Sequence, residues 1–131
     1  MTIKRINAPA VFSPGTYSQV VQVSGETLLY LAGQVAWDAD GKTVGVGDLQ
    51  AQAHQAFKNV DSVLAAAGSN FSRVIKLTIY VVNYQPEQRQ MVMDAASQFV
   101  DSQHLPASTL LGVQSLARPD LLIEVEAIAA L

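Results

Sequence analysis

The stretch Leu121-Leu122-Ile123-Glu124-Val125-Glu126-Ala127-Ile128-Ala129 sets two carboxylates two residues apart inside an otherwise apolar run. Successive strand side chains point to opposite faces. Glu124 and Glu126 therefore share one face, and Ile123, Val125 and Ala127 share the other. A carboxylate is costly to bury unless it is paired, hydrogen-bonded or protonated. A chain containing this strand must build a sheet with one apolar face on a core. The second face meets water, meets a partner, or shelters a glutamate that does chemistry.

The other segments suggest what surrounds that strand. Ser13-Pro14-Gly15-Thr16 is a turn signal. Gln19 to Val23 and Thr27 to Gly33 are β-rich and read as a hairpin bending at Ser24-Gly25-Glu26, with a second turn at Asp38-Ala39-Asp40-Gly41. Asp48 is the N-cap of a helix whose apolar residues recur at Leu49, Ala53, Phe57, Val60, Leu64 and Ala67, and Gly68 ends it. Val74 to Val82 alternates, with Ile75, Leu77, Ile79 and Val81 on one face and Lys76, Thr78 and Tyr80 on the other. Pro86 opens a second helix running to about Gln103, with Met91, Met93, Ala95 and Phe99 as its stripe, and Pro106 stops it. Thr109 to Leu116 and Leu121 to Ala130 are the last strands, separated by Ala117-Arg118-Pro119-Asp120. The order predicts an α+β layer: a mixed sheet with both helices on one face, within a single domain spanning 1–131.

Two helices cover one face only. The other carries Lys76, Thr78, Tyr80, Glu124 and Glu126, semi-polar rather than fully charged. Half of the residues are hydrophobic and only 15% are charged, which favours closing that face against copies of the same chain. The formal charge of -3 argues against binding a phosphate backbone, so no nucleic-acid partner is expected. Without Cys there is no disulfide, thiolate nucleophile or Cys-based metal site; His54 and His104 are far apart in sequence, and no metal is expected. Met1 to Arg5 lacks the apolar run of a signal peptide, and no stretch reaches the roughly 18 apolar residues of a membrane span. The expectation is a soluble, cytoplasmic protein without a membrane partner.

These segments resemble the RidA/YjgF family, formerly the L-PSP endoribonuclease family, over nearly the whole chain. Asn7-Ala8-Pro9-Ala10 and Pro14-Gly15-Thr16-Tyr17-Ser18-Gln19 resemble the family's "NAPA" and "GPYSQ", with one extra residue inside the turn. Leu31-Ala32-Gly33-Gln34 resembles "SGQ", and the helix from Gln52 to Gly68 resembles "QA…NV…L..AG". Val74-Ile75-Lys76-Leu77-Thr78, Pro106-Ala107 and Ile123 to Ala129 resemble "V.K.T.V.V", "PAR" and "VEIEAIA". The resemblance implies a chorismate-mutase-like fold and a homotrimer, with a central β-barrel and clefts between subunits that take a small-molecule ligand. It also implies hydrolysis of reactive enamines and imines to keto acids and ammonia, without a metal or organic cofactor.

The chain departs from the family at positions that matter to that chemistry. Active deaminases carry an arginine after "PA", which grips the substrate carboxylate as a bidentate fork; here the position is Ser108. Ala32 stands where a serine is common, and Met93 falls about where an asparagine is usual. Tyr17, Gly33 and Glu124 are kept. Glu124 is the candidate that activates water, against a structural carboxylate bonded to backbone or to Lys76. Tyr17, Ala32, Gly33, Met93, Ser108 and Thr109 are the candidate substrate-binding residues. Glu126 is expected to be structural, paired with Lys76, and Arg118 to be a surface loop residue. Two functions stay open: a C=N hydrolase with altered specificity, or a trimer that binds a metabolite or acts as a chaperone without turnover. RNA cleavage, suggested by the older family name, is the weakest on the acidic balance.

Overall fold

The computed structural model describes residues 2–25 and 27–131. Strands β1 (Thr2–Ile6), β2 (Val20–Ser24) and β3 (Leu28–Gln34) precede helix α1 (Leu49–Ala66). Strand β4 (Val74–Val82), helix α2 (Arg89–Ser97), β5 (Ala107–Val113) and β6 (Ile123–Ala130) follow. The main sheet has the order β3-β6-β4-β5; β4 and β5 run parallel, and β6 lies antiparallel to both β3 and β4. The sheet is therefore mixed, with the strand carrying both glutamates in its interior.

The predicted hairpin is replaced by a different pairing. β2 pairs with β1, from Thr2 opposite Ser24 to Ile6 opposite Val20, and β3 pairs with β6. Glu26, in the predicted bend, lies outside the described residues. Thr2–Ile6 alternates exposed and half-buried residues, as Val20–Ser24 does, and offers β2 a matching antiparallel edge. Leu29 and Leu31 of β3 pack against the core, which places β3 beside β6.

Helix α1 follows its sequence signals. The Asp48 carboxylate accepts from Ala51 N–H, satisfying an orphan donor of the first turn. At the other end Gly68 has φ +79°, Gly68 N–H donates to Ala65 O and Ser69 N–H to Leu64 O. These two bonds form a Schellman closure, whose left-handed residue favours glycine. Ala53, Ala56, Phe57, Val60 and Leu64 of α1 are buried with Val92, Ala95 and Ala96 of α2 against Leu77, Ile79, Val81, Ile123, Val125 and Ala127. Both helices thus lie on one sheet face.

Three expectations need correction. In β4 the residue facing the core at the start is Val74, not Ile75: a register shift between Val74 and Lys76 moves Ile75 out of alternation. Helix α2 ends at Ser97 rather than near Gln103. Phe99 and Val100 N–H both turn back to Ala96 O, and the Asp101 carboxylate takes Gln103 N–H, competing with helical bonding. The buried stripe of α2 is Val92, Ala95 and Ala96, while Met91 is exposed. Among the described residues no helix is long and apolar enough to cross a membrane.

Candidate functional site

Strand register decides what each candidate side chain faces. On β6, Glu124 lies opposite Tyr80, Glu126 opposite Thr78 and Ile128 opposite Lys76, all on the face away from the helices. The Tyr80 hydroxyl reaches diagonally and donates to Glu126 Oε1 at 2.5 Å. That bond to a carboxylate holds the phenol proton and raises the Tyr80 pKa, with a smaller contribution from desolvation. Lys76 Nζ instead donates to Thr109 Oγ1 at 2.8 Å. The expected Lys76–Glu126 pair does not form, because register puts Ala107 beside Lys76 on β5 and brings Thr109 within reach.

Glu124 is half-buried and, among the described residues, its carboxylate accepts no hydrogen bond. Its carboxyl lies over Gly33, where β3 shifts register between Leu31 and Gln34. A Cβ on residue 33 would stand 2.5 Å from Glu124 Oε2 and 2.6 Å from its Cδ. Glycine here is a requirement of close approach. Neighbouring Ala32 is exposed, and its carbonyl accepts from Gln34 Nε2 at 3.2 Å.

Ser108 occupies the other side of the sheet. It lies opposite Leu77, which is buried under the helices, whereas Thr109 lies opposite Thr78 on the open face. Ser108 and Met93 line a common cavity of about 190 Å³ between α2, β4 and the start of β5. The loop before β2 reaches the same place: Gly15 and Thr16 line the cavity, Ser18 N–H donates to Pro106 O, and Ser18 Oγ donates to Leu105 O. Tyr17 follows Thr16 directly and is half-buried.

The predicted site residues thus fall into two groups. Glu124, Gly33 and Thr109 belong to the open side of the sheet, while Met93 and Ser108 face the helix side, beside the Tyr17 loop. Sequence reasoning missed the Tyr80–Glu126 bond and the contributions of Thr16, Ser97 and Ser102 to the cavity. The alternation of β4 puts Tyr80 on the glutamate face, but its diagonal partner depends on the β4–β6 register. Arg118 lies 5.1 Å from the centre of the Trp37 ring and is exposed. His54 lies against Phe99 with ring centres 5.5 Å apart, and His104 Nδ1 is 2.7 Å from Asp101 Oδ2.

The family model described as Endoribonuclease L-PSP matches residues 6–131. A 2-iminobutanoate/2-iminopropanoate deaminase of Dermatophagoides farinae is 33% identical over 133 residues, covering 100% of this chain and 99% of its own. A RutC family protein of Synechocystis is 31% identical over 133 residues, covering 100% and 98%. Among solved structures, the Rid family protein YyfB of Yersinia pestis superposes with a TM-score of 0.90 at 38% identity, covering 100% of both chains. RidA from an Antarctic Psychrobacter superposes with a TM-score of 0.71 at 26% identity, covering 100% of this chain and 99% of that one.

Proposed function

Because the chain belongs to the RidA/YjgF family, we propose that it hydrolyses C=N bonds in the manner of the imine deaminases it resembles, on substrates that are not gripped by a carboxylate. The observation that carries this reading is the Glu124 carboxylate, half-buried over Gly33 and, among the described residues, without a hydrogen-bond partner. A carboxylate so placed is available to take a proton from water. The hydroxide attacks the carbon of the C=N bond, and the nitrogen takes up protons and leaves as ammonia, with a carbonyl as the product. An enamine enters the same route after tautomerising to the imine. Tyr17 and the backbone N–H groups near Gly33 and Thr109 hold the substrate. Ser108 supplies no positive charge, so a simple 2-imino acid loses the bidentate contact that fixes its carboxylate.

Ser108 and Glu124 lie on opposite faces of one sheet, so a second copy of the chain is needed to bring them to one ligand. A cytoplasmic homotrimer that packs the open sheet faces together and sets the edge strand β5 of one chain, with Ser108, against the Glu124 face of the next accommodates this, and it covers Tyr30, which is 75% exposed in the single chain. Ammonia release from imines generated in solution tests the proposal. An uncharged imine should be turned over, 2-iminopropanoate should be a poor substrate, and Glu124→Gln should lower the rate by about 10²–10⁴-fold. Turnover of 2-iminopropanoate at the rate of an arginine-bearing relative would refute the argument from Ser108.

The neutral cavity shared by Met93 and Ser108 favours a second reading, a trimer that binds a metabolite or acts as a chaperone without consuming its ligand. A compound that raises the melting temperature and is recovered intact would support it.

A further inference from the structure

The cavity between α2, β4 and β5 has a composition that selects its ligand. Leu77, Ile79 and Pro106 are almost completely buried in its wall, and Met93 adds a flexible, polarisable side chain. Among the described residues no charged side chain lines it; its polar side chains are the hydroxyls of Thr16, Ser97, Ser102 and Ser108. Ser97 Oγ donates to Asp94 O at 2.8 Å, so its proton is engaged. Among the described residues the other three hydroxyls have no hydrogen-bond partner.

We infer that this cavity takes the uncharged end of the ligand: an apolar body the size of a six-membered ring bearing a neutral amide, carbonyl or hydroxyl group. A cavity of about 150 Å³ with apolar walls accepts benzene, and this one, at about 190 Å³, leaves room for a small substituent. A hydroxyl both donates and accepts, so the free hydroxyls match an amide or carbonyl without a formal charge. A carboxylate entering here gives up part of its hydration and, among the described residues, meets no cation in the lining. The inference deepens the proposed hydrolysis of uncharged imines and rests on Ser108 standing at the ligand cleft, but it concerns binding and does not require turnover.

The test is a matched pair of equal shape, benzamide and benzoate, titrated against the full chain by calorimetry. Benzamide should bind, and benzoate should bind at least about tenfold more weakly, the burden of desolvating a charge without a partner. Ser108→Arg should reverse that preference. Ser102→Trp, at an exposed rim position that leaves the core untouched, should close the cavity and abolish benzamide binding. Equal or tighter binding of benzoate, no binding of benzamide, or benzamide binding indifferent to both variants overturns the inference. Ammonia-release assays separate the two claims. A benzamide preference without turnover of any imine removes the hydrolase and keeps the pocket, whereas turnover without the preference does the reverse.

Discussion

The Glu124 carboxyl occupies the space that any side chain on residue 33 would need, with Oε2 only 2.5 Å from where a Cβ would stand. A glycine on β3 and an acid on β6 are thereby tied into one unit. Gly33→Ala should leave the chain folded, because the clashing atoms, Oε2, Cδ and Cγ (2.9 Å), all belong to one half-exposed side chain that can rotate away as a whole. The displaced carboxylate should lower kcat by about 100-fold, as a misplacement of roughly 1 Å does elsewhere. Steady-state kinetics beside a thermal melt checks this; loss of activity with an unchanged Tm is the expected pair.

Tyr80 and Glu126 predict an alkaline signature. The Tyr80 pKa is raised above its ordinary value of 10.0 by the bond to Glu126. In the unfolded chain the phenol ionises first, so the folded state holds more protons just above that pH. The contribution of this bond is fully present below about pH 10 and is lost as pH rises through the folded pKa. Denaturant midpoints measured across this range should fall less steeply in Tyr80→Phe than in the parent chain.

Gln52 is fully buried and spends its amide on three backbone groups. Its Nε2 donates to Gly45 O at 3.2 Å and Asp120 O at 2.9 Å, and its Oε1 accepts from Leu122 N–H at 2.9 Å. Gln52→Leu keeps the volume but leaves those groups unsatisfied, for an expected loss of about 2–4 kcal/mol. Urea denaturation measures it, and a loss below about 0.5 kcal/mol would mean that water replaces the amide.

Gly68 isolates the effect of backbone conformation. Its φ is +79°, and the nearest atom to an added Cβ is Leu131 Cδ1 at an ordinary 3.7 Å. Gly68→Ala should therefore cost about 1–2 kcal/mol from the left-handed backbone alone. Gly68→Asn should recover part of that loss in the same denaturation assay, since asparagine tolerates the conformation better.

The elements that were legible carry their information locally. The Asp48 cap, the apolar repeat through Leu64 and the Gly68 stop are interactions within a few residues of chain, and α1 forms where they place it. The two faces of β6 follow from alternation, and that is why Glu124 and Glu126 stand together opposite the core. Ile75 escapes the alternation because a bulge adds a residue to one strand, which the alternating pattern of residue types does not reveal. The β1–β2 pairing is not legible locally because β3 and β1 compete for the same partner, and packing of Leu29 and Leu31 against the core decides between them.

The sequence by itself determined the family, the layer of two helices on a mixed sheet, and the placing of two acids on the sheet face away from the core, since all of these reside in residue type and spacing. Only the tertiary structure decided that Ser108 faces Leu77 under the helices while Thr109 faces Lys76 on the other side. A side chain's face in a sheet depends on the register of its neighbours, and β4 lies more than twenty residues earlier in the chain. That long-range pairing sets Ser108 and Glu124 on opposite faces of the sheet within one chain.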